Sequence, residues 1–386
     1  MTAQEILAKL VSFSVLGGES NLKIINWLKD YIESFGVEIY LVPNKTNTKA
    51  SLHCRIGPAV DGGVILSGHT DVVPVKEQPW NTNPFELVEK PDGNLYARGS
   101  CDMKGFLACC LAVLPKMVKT KLKKPIYFAF TYDEEVGCLG APSLINHIKK
   151  TYSEKPKYAI IGEASMLQPI IGQKSIHIID ITVNGSQGHS SRIKQEVSAV
   201  HEAARIVMWA EEKMNSLINS GSIDSRFEPP HSSLHTGIIN GGIAPNIIAN
   251  KAFLSLDIRC LPQDDANQMY QDLKNYCKSR EKALNPIFSS FRIDVVENHP
   301  IVPSLNTNEN SDVINLIGKI TGNYNWTTVS YASEAGHFAN AGFESIICGP
   351  GSIAQAHRAN EYISKNQLKK GVEMIKNLVK HLKTSI

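Results

Sequence analysis

The sequence predicts an α/β protein carrying a second, inserted α+β unit, and three observations carry that prediction. Apolar, strand-like runs alternate with helical periodicities from the N-terminus to about residue 172. From about residue 177 to residue 300 the order becomes strand, helix, strand, strand, helix, strand. Beyond about residue 300 the earlier alternation resumes. Alternating strands and helices bury their apolar faces best as a mixed, mostly parallel sheet sandwiched by helices. The β-α-β-β-α-β order is that of the split βαβ sandwich. The simplest arrangement is one domain formed by residues 1–176 and 301–386, interrupted by a second domain of residues 177–300.

Taken in order, Ile6, Leu7, Leu10 and Val11 share one face of an opening helix. A second helix begins near Ser20, turns Ile24, Ile25, Leu28, Tyr31 and Ile32 inward, and stops at Gly36. Short apolar runs at residues 64–67, 126–130, 158–161 and 345–348 read as buried strands. The stretch from Phe106 to Leu114 reads as a buried helix. In the inserted stretch, residues 176–183, 233–240, 253–260 and 291–296 read as strands, and residues 198–218 and 265–281 as helices. No internal repeat or low-complexity segment interrupts the pattern.

At 386 residues the chain can bury a large core in two domains. Charged residues make up 20% and the hydrophobic set 42%, an ordinary globular mixture. Lys plus Arg exceed Asp plus Glu by 40 − 37 = +3, too little to indicate nucleic acid or an anionic membrane as partner. No apolar run approaches the ~20 residues that span a bilayer. The opening Met1-Thr2-Ala3-Gln4-Glu5-Ile6 lacks the basic-then-apolar pattern of a secretory signal. Eight scattered cysteines, without a Cys-x-x-Cys repeat, fit reduced thiols in a cytoplasmic protein.

Four polar clusters, His69-Thr70-Asp71, Asp102, Glu134-Glu135 and Glu163, each follow a strand-like run, and a lone His357 follows a fifth. In open α/β sheets functional side chains gather beyond the carboxyl ends of strands, so these could converge. They supply the inventory of a two-metal hydrolytic centre: an imidazole and a carboxylate per ion, a shared carboxylate, and a spare carboxylate to move protons. Each has a blander alternative. Asp71 could cap a helix, or brace His69 through its second ring nitrogen. Asp102 could be an N-cap or a bridging carboxylate. Asp133-Glu134-Glu135 could be a solvated loop, although three adjacent acids repel without compensating cations. Glu163 emerges from an apolar strand, where an unpaired carboxylate is expensive. Cys101 has no basic neighbour to activate it. Two divalent ions bring +4 against −3 from Asp102, Glu135 and Glu163. Nitrogen and oxygen donors without cysteine suit zinc, cobalt or manganese, with zinc the default for hydrolysis.

Five segments together carry a resemblance: residues 67–74, Arg98-Gly99-Ser100-Cys101-Asp102-Met103-Lys104-Gly105, Asp133-Glu134-Glu135, Gly188-His189-Ser190-Ser191, and Gly349-Pro350-Gly351-Ser352. The chain resembles, over essentially its whole length, the zinc-dependent amidohydrolases and exopeptidases. That resemblance implies a di-zinc exopeptidase-like catalytic domain with an inserted ferredoxin-like dimerisation domain, and hence a homodimer. It implies two divalent ions per subunit, Zn2+ with Co2+ as alternative. His69 and Glu163 would hold one ion, Glu135 and His357 the other, with Asp102 bridging, Asp71 behind His69, and Glu134 as general base and acid. Residues 349–357 with Asn360-Glu361-Tyr362 resemble the acetylornithine deacetylase branch, which implies an N-acyl amino acid substrate. Residues 332–338 match that branch only approximately, so another N-acyl amino acid amidohydrolase, a desuccinylase or a dipeptidase is the alternative. A non-catalytic metal-binding relative would lack a ligand or the base, yet every such position is filled.

Further substrate contacts are expected. By resemblance His189 reaches the partner subunit's site and Asn246 binds substrate; from the residues alone His189 reads as a surface histidine in a turn, and Asn246 could simply satisfy turn backbone. Arg259 could pair with Asp257 or bind the substrate carboxylate through its planar fork. Glu334 could take the ornithine ammonium or start a helix. Gly351 could offer its N–H to the carboxylate.

Overall fold

A computed structural model describes residues 1–384 and divides into two compact units. The first comprises Met1–Gly172, Leu305–Thr328 and the chain from Ser333 on; the second comprises Gln173–Ser304 and Val329–Ala332.

In the first unit a nine-stranded sheet runs in the order Ile39–Pro43, Ala50–Ile56, Ile126–Thr131, Val64–His69, Tyr158–Ala164, Glu344–Gly349, Ile170–Gln173 and Leu305–Asn306, with Thr327–Val329 paired to Ile170–Gln173. The four strands from Ile126–Thr131 to Glu344–Gly349 are mutually parallel, and antiparallel strands flank them. Helices cover the parallel strands, which is why those strands read as continuous apolar runs without alternation. Their register places His69 opposite Thr131, so the carboxyl ends of neighbouring strands finish level. Two glycines permit the close packing. A Cβ on Gly162 would meet the Phe106 ring at 2.1 Å, and one on Gly349 would meet the Gly162 carbonyl oxygen at 1.9 Å.

The opening helix is Ala3–Val11; it buries Ile6, Leu7, Leu10 and Val11 and begins with a reciprocal Thr2–Glu5 capping box. It packs on the buried helix Lys104–Lys119, which also meets the closing helix Lys365–Thr384. The second helix starts at Leu22, later than expected. Ser20 does not cap it, and the side chain of Asn21 bonds instead to the backbone of Ala50 through both its oxygen and its nitrogen. That choice ties the helix start to the sheet.

In the second unit four antiparallel strands lie in the order Ser233–Gly241, Lys251–Arg259, His177–Asn184, Arg292–Glu297. Helices Ala199–Asn219 and Ala266–Leu284 pack on this sheet, giving a separate core that includes Ile179, Ile181, Ile206, Leu254, Leu256 and Leu273. Inward and outward residues alternate along His177–Asn184, as a sheet covered on one face requires. Helix limits follow the caps: the side chains of Ser198 and Asp265 accept N–H groups from residues three positions on. Chain order and strand order together are those of the split βαβ sandwich. Among the described residues, no helix is long and apolar enough to cross a membrane.

Candidate metal centre

Three neighbouring parallel strands deliver the first residues. His69 ends one strand, Glu163 lies near the end of the next, and Asp133-Glu134-Glu135 follow Ile126–Thr131 immediately. Asp102 arrives from the loop before Lys104–Lys119, and Met103, not Asp102, is that helix's N-cap residue. His357 lies in the loop after Glu344–Gly349, at φ +61, a left-handed conformation uncommon outside glycine.

These side chains converge. Asp102 Oδ1 lies 3.1 Å from His69 Nε2, and Asp102 Oδ2 lies 3.3 Å from His357 Nε2. Glu163 Oε1 is 3.7 Å from His69 Nε2, and Glu135 Oε2 is 3.0 Å from His357 Nε2. His69, Asp102 and Glu135 form one group whose ligand atoms all lie within 4.8 Å of one another; His69, Glu134 and Glu163 form a second. His69 is 1% exposed, whereas the His357 side chain is 57% exposed, so one flank of the pocket opens outward.

The supporting contacts explain how so many charges are held together. His69 Nδ1 bonds to the Asp71 carbonyl at 2.9 Å, leaving Nε2 to face the pocket. The Asp71 carboxylate instead accepts the backbone N–H groups of Glu134 and Glu135, each at 3.2 Å, which fixes the start of that loop. Asp133, at φ +55, turns away from its acidic neighbours, accepts the Gly18 N–H and pairs with Lys49. One of the three adjacent acids is thereby neutralised outside the pocket. The rest press on one another. Burial and neighbouring charge push Glu134 and Glu163 well above the usual carboxylate range and Glu135 up to about 7. Burial acts in the same direction on Asp102, but hydrogen bonds from His357 and His69 overcome it and hold that carboxyl low. A nitrogen–oxygen donor set with excess negative charge and little water suits hard or borderline divalent cations.

The other expected residues are distributed as follows. Glu334 is 1% exposed; its Oε2 accepts the Ser67 hydroxyl at 3.1 Å, while Oε1 has no hydrogen-bond partner among the described residues. Burial pushes its carboxyl up to about 7, and its side chain caps no helix. Gly351, at φ +91, donates its N–H to Gln367 Oε1 at 3.2 Å. In the second unit Arg259 pairs with Asp257 at 3.1 Å and donates to the Ser330 carbonyl at 3.2 Å. His189 and Asn246 come together there: Gly188–His189 pairs with Ile247–Ile248, and the Ser190 N–H donates to the Asn246 carbonyl. Both residues are exposed. Cys101 is buried and its thiol donates to the Ser352 carbonyl; burial raises it well above the usual thiol range, so it is no nucleophile.

Sequence reasoning passed over Lys49, Arg98 and Glu361 as individuals. Arg98 and Glu361 form a fully buried ion pair at 2.9 Å. The signal available was chemical: a charged residue inside an otherwise small, glycine-rich loop demands a partner when buried.

Residues 65–381 match peptidase family M20/M25/M40. The chain belongs to this family. It is 34% identical over 371 residues to an acetylornithine deacetylase of Shigella sonnei (strain Ss046), covering 94% of this chain and 91% of the relative. An M20 metallo-carboxypeptidase of Sulfolobus solfataricus superposes with a TM-score of 0.78 at 19% identity, covering 99% of each chain. A dinuclear metal-binding M20 peptidase of Bacillus subtilis superposes with a TM-score of 0.64 at 12% identity, covering 100% of this chain and 98% of that one. At such identities the structural likeness concerns the fold. Family membership makes the protein a hydrolase of amide bonds, and the pocket at His69 is a possible metal site within it.

Proposed function

We propose that the protein removes the acyl group from an N-acyl amino acid, N2-acetyl-L-ornithine foremost, giving acetate and L-ornithine. The observation that carries the two-metal part is the division of Asp102 between two histidines, 3.1 Å to His69 and 3.3 Å to His357. Each histidine has its own second carboxylate, Glu163 or Glu135. In this assignment His69 and Glu163 would hold one divalent ion and Glu135 and His357 the other, with Asp102 available to both and zinc or cobalt as the metal. Such ions supply Lewis acidity toward the amide carbonyl and acidify a water.

Glu134 moves the proton. Its carboxyl lies beside His69 and Glu163 and is raised by burial, which suits a group that accepts a proton from water and returns it to the leaving nitrogen. Asp71 positions Glu134 and Glu135 through their N–H groups. The ornithine preference is supported by the Shigella relative and by Glu334, whose unpartnered, buried Oε1 suits an ammonium. Arg259 would exchange Asp257 for the substrate carboxylate, and Gly351 would exchange Gln367. His189 and Asn246 would serve the site of a second copy, in a homodimer built through the inserted unit. A cytoplasmic location accords with the eight buried, unpaired cysteines.

The deciding experiment compares kcat/KM for acetylornithine, succinyl-diaminopimelate and a dipeptide after chelation and reloading with zinc or cobalt. Acetylornithine should lead, and activity should return with metal. A dipeptide preference would reassign the substrate, and turnover that survives full chelation would remove the metals from the reaction.

A further inference from the structure

Glu361 has no place among the ligands, the base or the substrate contacts, yet its carboxylate accepts hydrogen bonds from four different residues. It is completely buried. One oxygen accepts the backbone N–H of Cys101 at 2.8 Å and of Asp102 at 3.0 Å. The other accepts the Gly99 N–H at 3.0 Å and Arg98 Nη1 at 2.9 Å. Four donors from four nearly consecutive residues thus close on one carboxylate, so the conformation of the loop that presents Asp102 is set from outside the loop.

The same pair reaches the other side of the centre. Arg98 Nη1 also donates to the Arg358 carbonyl at 3.2 Å, and Nη2 donates to Gln78 Oε1 at 2.5 Å. Gln78 in turn donates to the His357 carbonyl at 3.1 Å. The Arg98 guanidinium lies over the Trp80 ring, 5.1 Å from its centroid, which keeps the fork in plane. Asn360 accepts the Asn81 N–H at 2.9 Å. Most of these contacts join the loop of Asp102 or the segment after Pro74 to residues 357–361, and Arg98 ties that loop to the segment itself through Gln78 and Trp80. His69 and Glu163, by contrast, stand on sheet strands, and His69 meets this network through the Asp102 carboxylate, 3.1 Å away.

We infer that Glu361, with Arg98, is a positioning residue that sets the separation of Asp102 and His357 and so fixes the affinity of one of the two metal positions, the one at Glu135 and His357. The inference rests on the two-metal reading above. The physical reason is asymmetry of support. The His69 position is built from strand ends locked by sheet pairing. The His357 position depends on a half-open loop and a left-handed histidine, which the Arg98–Glu361 clamp holds at the spacing an ion needs. Groups that orient ligands govern metal affinity nearly as much as the ligands do.

The test titrates metal-free full-length protein with Co2+, reading visible absorption and bound metal by mass spectrometry. Wild type, Glu361→Gln, Arg98→Lys and His357→Ala are compared, with the unfolding midpoint of each metal-free form as the control for folding. Wild type should bind two ions per chain. Glu361→Gln and Arg98→Lys should keep one ion within about threefold of wild-type affinity and bind the other roughly ten- to a hundredfold more weakly. Adding Glu361→Gln to His357→Ala should weaken the remaining ion no further. Arg98→Lys retains the charge and a bond to Glu361, so it carries the test if Glu361→Gln fails to fold. Two ions bound with wild-type affinity in both variants would overturn the inference, as would equal weakening of both ions. A wild type that binds fewer than two ions would instead overturn the two-metal reading itself, and the inference with it.

Discussion

Glu134 and Glu135 are adjacent in sequence, both raised by burial, and separated in role only by direction. Glu135 points at His357, while Glu134 groups with His69 and Glu163. Replacing Glu134 by Gln keeps shape and removes the proposed proton carrier. We expect Glu134→Gln to retain its metals but lose roughly 10²- to 10⁴-fold in kcat, the range associated with a positioned acid–base group. Near-normal turnover in that variant would transfer the proton to another residue. Glu334 makes a different kind of prediction, because it is not one of the proposed ligands and its Oε2 takes the Ser67 hydroxyl while Oε1 has no hydrogen-bond partner among the described residues. Glu334→Gln should raise KM for acetylornithine by roughly ten- to a hundredfold, the worth of one charge-assisted hydrogen bond, with kcat nearly unchanged. Hydrolysis of a neutral N-acetyl amino acid should be spared. Equal loss on both substrates would mean that Glu334 supports the pocket instead of reading the ornithine side chain.

Between elements, contacts decide what sequence periodicity leaves open. Strand Ala50–Ile56 and helix Ala141–Thr151 are joined where His53 Nε2 meets His147 Nδ1 at 2.7 Å and His53 Nδ1 meets the Tyr152 hydroxyl at 3.0 Å. Burial and the neighbouring His147 push His53 down to about 3. Between that value and about 6.5 the unfolded chain binds a proton that the native protein refuses, so stability falls as pH drops through this window, by at most about 1.4 kcal/mol per unit. In metal-free protein, His53→Gln should flatten the pH dependence of the urea midpoint below about pH 6. An unchanged slope would show that His53 is already protonated in the native state. Strand-to-strand contacts yield a second expectation. Gly349→Ala would force a methyl group against the Gly162 carbonyl, and overpacking of this kind costs roughly 1–3 kcal/mol. The parallel strands themselves were legible because each is a short apolar run, and the acidic and imidazole groups that end them could be read off in order. Sheet order, the antiparallel flanks and the Asn21 tie to Ala50 were not, because they depend on pairings between residues remote in sequence. Arg98–Glu361 was hidden for the same reason: the partners stand 263 positions apart.

For the molecule as a whole, the β-α-β-β-α-β order was visible because strand and helix periodicities alternate cleanly, whereas the contribution of Val329–Ala332 to the second unit was not, because four residues carry no periodicity. The second unit also exposes a feature that bears on assembly. Strand Ser233–Gly241 lies at the edge of its sheet and, among the described residues, pairs only with Lys251–Arg259. Its sequence, Ser-Leu-His-Thr-Gly-Ile-Ile-Asn-Gly, contains no lysine, no carboxylate and no proline, the usual devices that keep an edge from pairing. Ile238 and Ile239 are each about half exposed, and Ile243 just beyond is 80% exposed. Apolar side chains beside an edge that holds no charge or proline, and whose one irregularity lies between Thr236 and Ile238, favour a second copy laid antiparallel, which would satisfy both edges with one symmetric contact. The proposed homodimer therefore leads to a concrete expectation. Wild-type protein should sediment as a dimer at micromolar concentration, and Ile239→Lys, which adds a charge to that edge, should shift it toward monomer. If His189 serves the partner's site, kcat/KM should fall in step with the dimer fraction, and it should be partly restored by mixing an inactive Glu134→Gln chain with a His189→Ala chain. A monomeric wild type with full activity would confine the complete site to a single chain.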